Sequence, residues 1–300
     1  MKKLSLILIV VLMLTACAQG TGEAIKVYTR DSASGTREAF ESIIGLEAVS
    51  EESAETSGNG DMATQVGQNK HAIGYVSLST DFEANNIKAV NYENVAATNE
   101  NVLNQSYLLA RPFSYVTRAE NDFDSEEKQA LVKALIAYLS ESKEGRAVVV
   151  SAGGIADVDS GKPWAELKKD HPIVNQDNSA MTLKTGGSTS VEKTFSKAVE
   201  SFIPLAGNFK FEPNHTGSGD GFKRTLGAEK DGPNAIDIGF ASRAFKTEED
   251  ISSALLSGVY SLDAVVVVVH KDNDRIENLD KETLRKIFSG EIKSWSDLKA

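Results

Sequence analysis

From residue 24 onward the chain alternates short β-branched runs with stretches of helical spacing, and that alternation leaves few folds open. A strand followed by a helix and then another strand is the signature of an α/β architecture. Ala24–Thr29 reads as a strand, followed by a Ser/Gly-rich turn and a helix over Arg37–Ile44. Ala72–Leu78 reads as a strand in which Gly74 admits close backbone approach. Ser125–Val149 has the spacing of one amphipathic helix, with Leu131, Leu135, Tyr138 and Leu139 on one face and acidic residues at its start. Leu183 opens a second strand–turn–helix unit, and Ala235–Phe240 is a further strand. Thr247 and Asp250 spell a capping box for a helix after it. The apolar run Ala264–Val269 predicts a strand buried on both faces, and Glu282–Phe288 a last helix. Ser151–Ser179 is polar and holds Pro163 and Pro172, so it reads as a linker.

The 300 residues, 41% of them apolar, are enough for one large domain or two smaller ones. A net charge of −11 disfavours nucleic acid and anionic lipid surfaces as partners. The same field repels an anionic ligand at long range, so any anion site here has to work through local dipoles and hydrogen bonds. At the N-terminus Lys2 and Lys3 precede the apolar run Leu4–Leu14, too short to span a bilayer and suited to a secretory signal over residues 1–16. The run ends in Leu14-Thr15-Ala16-Cys17, which resembles a bacterial lipobox and marks Cys17 for lipid attachment. Residues 17–24 then form a tether at the extracytoplasmic face of the cell membrane. Cys17 is the only cysteine, which excludes an internal disulfide and a cysteine metal cluster.

Four turns share one chemistry: Arg30–Arg37, Gly186–Ser190, Thr216–Gly219 and Ala241–Arg243. At least the first two lie between a strand and a helix, where free N–H groups and the positive end of the helix dipole favour an anion. Glycines let amides approach, hydroxyls add neutral donors, and Arg30 and Arg243 offer forked, charged donors to a tetrahedral oxyanion. Helix capping explains each turn taken singly, and Thr189 with Glu192 spells a capping box that needs no ligand. Neither Gly-rich stretch fits a P-loop or a dinucleotide fingerprint. The histidines His71, His171, His215 and His270 show no triad-like pattern, and Gly217-Ser218-Gly219 lacks the spacing of a nucleophile elbow, which speaks against a hydrolase. No His/Asp/Glu cluster has metal-ligand spacing, and no cofactor is expected.

On these residues the chain resembles the phosphate-binding protein of the high-affinity phosphate ABC transporter. The matching segments are Arg30…Ser34-Gly35-Thr36-Arg37, Ala72–Leu78, Gly187–Val191, Thr216–Gly219, Asp237–Arg243, Leu262-Asp263 and Ile287–Ile292 with Trp295. The resemblance implies a type II periplasmic-binding-protein fold, two α/β lobes with a hinge and an interlobe cleft. It implies capture of inorganic phosphate by a monomer that delivers it to ABC permease subunits. Sulfate or molybdate binding, or a phosphate-sensing or adhesion role at the surface, is the alternative. Relative to the family the segments run in the other order, as though circularly permuted or cut from a longer tandem protein. Residues 25–90 plus 271–300 are then expected to form one lobe and 91–270 the other, with 151–182 joining the family's usual termini. Ligand contacts carry over as Arg30, Ser34, Gly35 and Thr36 from one lobe and Thr189, Ser190 and Ser218 from the other. Some members place an aspartate where this chain has Arg243. Asp31, Asp220 and Asp263 are candidates to replace that acceptor, with Asp263 preferred.

Overall fold

The structure, a computed structural model, describes residues 24–298. The signal segment and Cys17 lie outside the described residues. In chain order the elements are β1 (Lys26–Arg30), α1 (Gly35–Ile44), β2 (Ala54–Thr56), α2 (Asn59–Gly67), β3 (Ala72–Ser77), β4 (Ile87–Ala89), β5 (Asn91–Tyr92), α3 (Asn99–Leu103) and β6 (Ala110–Thr117). They continue as α4 (Glu126–Glu141), α5 (Lys143–Ser151), α6 (Trp164–Leu167), β7 (Thr182–Gly187), α7 (Glu192–Phe202), β8 (Lys210–Asn214) and α8 (Ser218–Thr225). The last are β9 (Ile238–Ala241), β10 (Ser257–His270), β11 (Asn278–Leu279) and α9 (Lys281–Ser289).

One strand organises the molecule. The C-terminal half of β10 pairs antiparallel with β3 and β4, and its N-terminal half pairs antiparallel with β6. The sheet path β2-β1-β3-β10-β6-β9-β7-β8 is therefore continuous but belongs to two lobes that share β10. Lobe A carries the parallel strands β1, β2 and β3, and lobe B the parallel strands β7, β8 and β9. The chain crosses between them where β6 begins and again within β10, at the cross-strand pairs Asp263↔Arg111 and Ala264↔Ala110.

Each lobe has its own apolar core. In lobe A, Phe40 of α1 stacks on Tyr75 of β3 with ring centroids 4.2 Å apart, and Phe288 of α9 packs edge-on to Phe40 at 4.8 Å. In lobe B, Phe195 of α7 lies 4.3 Å from Phe240 of β9, and Tyr138 of α4 lies 4.9 Å from Phe202 of α7. Aromatic pairs of this kind add to the free energy of burying their area. Val90, Tyr92, Val102, Tyr107, Leu109 and Ala264–Val269 all pack in the core of lobe A. The cores thus divide near residues 110 and 263 rather than at 91 and 270.

Several elements differ from the sequence expectation. Ser125–Val149 is two helices, broken at Ser142, whose φ of −83° and ψ of 145° are extended. Its hydroxyl donates to the Tyr138 carbonyl at 2.6 Å and accepts from Gly145 N–H at 2.8 Å, ending one helix and capping the next. No helix follows Thr247. That segment runs in turns, because Glu249 is held by two hydrogen bonds from Arg243 and accepts the Lys246 N–H. The polar stretch 151–182 holds α6 and buries Trp164, Leu167, Ile173 and Val174 in the lobe B core, so it is packed rather than free. Ala264–Val269 is the buried half of a 14-residue strand.

Candidate functional site

The site forms where helix starts from both lobes meet. In lobe A, α1 begins directly after β1, with Ser34 as N-cap accepting the Arg37 N–H at 3.3 Å. Asn59 opens α2 behind Gly58, which offers no capping side chain. In lobe B, Ser188–Ser190 precede α7, whose N-cap Val191 also makes no side-chain cap bond. Gly187 has a φ of +107°, and a Cβ there would lie 2.1 Å from the Phe240 carbonyl oxygen. Only glycine fits, and it sets Ser188 against β9, where the Ser188 N–H donates to that carbonyl at 2.9 Å. Ser218 opens α8, so Thr216–Gly219 is a third strand-to-helix turn. Ala241–Arg243 follows β9 without a helix after it.

These starts touch across the cleft. The hydroxyls of Thr36 and Ser190 are 2.9 Å apart, and Asn59 Nδ2 donates to Ser190 Oγ at 2.9 Å. Gly219 N–H donates to the Ala33 carbonyl at 3.3 Å, and Lys193 Nζ to the Ser79 carbonyl at 2.6 Å. A Cβ on Gly35 would sit 2.2 Å from Ser218 Oγ and 3.1 Å from Ser242 Oγ, so only a residue without one lets the two sides approach this far. The lobes are shut on one another.

Arg30, at the end of β1, is 1% exposed. Its Nη2 donates to the Ser57 carbonyl and to Thr189 Oγ1, each at 3.3 Å, and lies 3.5 Å from Asp31 Oδ2 without hydrogen-bond alignment. Its Nε and Nη1 are buried with no hydrogen-bond partner among the described residues. Burial pushes the Arg30 guanidinium down from its ordinary value, and the neighbouring Asp31 carboxylate opposes that. The ordinary value is so high that the group stays charged. Two buried guanidinium nitrogens, with three N–H bonds between them and no acceptors, are costly unless an anion meets them. Thr189 Oγ1 accepts from Arg30, and the N-cap of α7 is Val191 without a side-chain cap bond, so the capping box of Thr189 with Glu192 does not form.

The sequence reading passed over Arg111, at the start of β6 and 3% exposed. Its Nε and Nη2 both donate to Asp263 Oδ2, at 3.0 and 2.7 Å, its Nη1 to Ser242 Oγ at 3.1 Å and its Nη2 to Ser190 Oγ at 3.0 Å. Asp263 is fully buried, and its Oδ1 accepts from Ser77 Oγ at 2.7 Å and from Leu78 N–H at 3.2 Å. Asp263 therefore lies inside β10 as Arg111's partner, with both oxygens engaged. Arg243 is not brought into the cluster. It grips Glu249, and its Nε lies 2.8 Å from Glu38 Oε2 of α1. Lys246 reaches the same Glu38 oxygen at 3.2 Å, so these contacts pin lobe B to lobe A at the rim. Asp220 accepts from the Thr216 hydroxyl.

His215 stands near Ser218 in sequence, but its Nδ1 faces the Ser188 carbonyl at 2.9 Å and its Nε2 faces Thr185 Oγ1 at 3.5 Å. It stacks on Phe240. Among the described residues no group of His, Cys, Asp and Glu could hold a metal ion, and no helix is long and apolar enough to cross a membrane.

Comparison with known proteins bears on this arrangement. The family described as PBP superfamily domain matches residues 14–143 and 174–300. The chain belongs to the PBP superfamily. Two lobes joined by crossing strands over a shared cleft are the type II periplasmic-binding-protein fold within that superfamily. Among superfamily relatives, the phosphate-binding protein PstS 2 of Streptococcus agalactiae serotype V is 29% identical over 284 residues, 91% of this chain and 87% of that protein. Its counterpart in Streptococcus pneumoniae serotype 4 is 28% identical over 298 residues, 95% of this chain and 91% of that protein. A crystal structure described as the phosphate-binding protein of a phosphate ABC transporter from Streptococcus pneumoniae matches with a TM-score of 0.66. It is 25% identical and aligns over 92% of this chain and 100% of that one.

Proposed function

We propose that this chain is an extracytoplasmic binding protein that captures inorganic phosphate and hands it to an ABC importer. One observation carries the reading: a buried Arg30 with two guanidinium nitrogens unpartnered among the described residues, ringed by helix starts from both lobes. Arg30, Ser34, the Gly35 amide and Thr36 serve the anion from lobe A, and Thr189, Ser190 and Ser218 from lobe B. Donors from both sides replace the water that a tetrahedral anion loses on entry, and the ligand draws the lobes shut because it meets both sets only in the closed state. The phosphate-binding relatives support the choice among oxyanions. The site is read as one of binding without turnover. His215 is spent on the Ser188 carbonyl, and the Ser218 hydroxyl meets Ser242 Oγ rather than a base among the described residues. Permease subunits are the proposed partners and a lipid on Cys17 the proposed anchor.

Isothermal titration calorimetry of the protein without its leader should give a single-site heat with phosphate. Arg30→Ala should weaken that binding by about a hundredfold, the scale of losing a charge-assisted pair of hydrogen bonds in a buried site. Binding of sulfate or molybdate with no heat from phosphate would reject phosphate as the cargo.

A further inference from the structure

Arg243, which stays out of the anion cluster, is fixed by its own lobe. Its Nη1 and Nη2 grip the two oxygens of Glu249 at 2.6 and 2.8 Å, and Nη1 also donates to the Ala244 carbonyl at 2.9 Å. Glu249 accepts in addition from the Lys246 N–H at 2.8 Å. All of these partners belong to lobe B, so the position of the guanidinium does not depend on where lobe A stands. The nitrogen left over, Nε, is buried and makes no aligned hydrogen bond among the described residues. It faces lobe A, 2.8 Å from Glu38 Oε2, so this contact is one of charge.

Glu38 stands in the first turn of α1, the helix whose start supplies the proposed phosphate donors of lobe A. A carboxylate there works against an anion in the cleft. In the closed molecule it is answered twice, because Lys246 Nζ reaches the same Glu38 oxygen at 3.2 Å. One carboxylate oxygen of lobe A thus meets two cations of lobe B.

Resting on the phosphate reading, we infer that Glu38, Arg243 and Lys246 form an ionic latch across the cleft rim that sets how long phosphate stays bound. The latch acts on the lobes and not on the ligand. Phosphate leaves when the lobes part, and parting them breaks both contacts of Glu38. Those contacts exist in the closed state alone, so they slow opening without aiding capture by the open cleft. Glu249 already holds the Arg243 rotamer, so closure orders little besides the Glu38 side chain, and the pair is worth more than two free surface charges. Glu38 and Lys246 are 42% and 40% exposed, which leaves the latch open to screening by salt. Other contacts between the lobes, such as Gly219 N–H on the Ala33 carbonyl and Lys193 Nζ on the Ser79 carbonyl, pair no opposite charges. A release rate that responds to ionic strength therefore points to Glu38.

The test follows radiolabelled phosphate leaving the protein without its leader, in a rapid-mixing chase with unlabelled phosphate. Glu38→Gln keeps the shape of the side chain and should speed release about fivefold, while capture is unchanged or faster because a like charge has gone. Wild-type release should quicken by a similar factor between about 20 mM and about 500 mM NaCl, and release from the variant should not. Lys246→Gln leaves the backbone N–H on Glu249 in place and should speed release about twofold. Added to Glu38→Gln it should speed release no further, since the carboxylate it served has gone. Release from Glu38→Gln at the wild-type rate overturns the inference, and so does a double variant faster than Glu38→Gln alone. Slower release from Glu38→Gln overturns it as well, because Glu38 would then act on phosphate only by repulsion. Wild-type protein that binds no labelled phosphate brings down the phosphate reading itself. The latch is then judged on the unliganded protein, which lacks cysteine once Cys17 is removed, by the distance between spin labels on two introduced cysteines, one in each lobe. That distance should lengthen in Glu38→Gln, and identical distributions overturn the latch whatever the ligand.

Discussion

At the scale of single residues, His215 shows how a polar side chain is committed to structure. The Ser188 carbonyl can only accept, so Nδ1 carries the proton and Nε2 is the acceptor that faces Thr185. Burial, with Arg224 adding to it, pushes the imidazole down to about 4 from 6.5, against the pull of the Ser188 carbonyl. Between those values the unfolded chain takes up a proton that the folded protein refuses, so stability falls as pH drops from about 6.5 to about 4. The full shift corresponds to about 3 kcal/mol, an upper bound because the ring keeps a partly exposed edge. His215→Asn, which retains an N–H donor, should flatten this part of the Tm-against-pH curve. An unchanged acid slope in the variant would assign the loss to other groups. Arg111 is the opposite case, a functional candidate hidden from the sequence. Its meaning comes from Asp263, 152 positions away and opposite it in the sheet, and no local pattern announces that partnership.

Among the elements, α1 has an unusual start. Gly35 is a poor helix former, and alanine there would by propensity strengthen the helix by up to about 1 kcal/mol. Its φ is not in the left-handed region, so the backbone raises no objection. The objection comes from across the cleft, where Ser218 Oγ would stand 2.2 Å from the new Cβ. Gly35→Ala should therefore leave Tm equal or slightly higher and weaken phosphate binding by about tenfold or more, because the lobes stop short of closure. Small-angle scattering with saturating ligand should show the variant more open than the wild type. Equal compaction would mean that the helix ends shift to make room. The sequence showed β1, β3, α1 and α9 because apolar periodicity and flanking turns agree there. It hid the break at Ser142, because that serine lies within an apolar spacing that continues past it and its two hydrogen bonds exist only once both helices pack. It also hid the start of α2, where Gly58 caps nothing, and the polar half of β10, whose buried Ser261 and Asp263 interrupt the apolar run.

For the whole molecule, the α/β alternation and its strand-to-helix turns were legible in the residues, and such turns gather at one end of a sheet, whereas the two lobes and the meeting of the turns at one cleft came from the family resemblance. The lobe boundary was not legible, since β10 serves both lobes and its apolar run gives no sign of where one core ends. The anchor belongs to this scale too. Cys17→Ser should move the protein from the membrane fraction to the soluble fraction on cell fractionation, and retention with membranes would reject a lipid on that residue. The bridge between Ala24 and Ser294, with the Ile25 N–H donating to the Lys293 carbonyl at 2.8 Å, ties the first described residues to the edge of lobe A beside β1. Any mooring through the leader therefore takes hold of lobe A alone. Lobe B, whose described chain joins lobe A only at the two crossings by β6 and β10, is left as the swinging jaw, and a tug on the tether pulls on the other side of its catch.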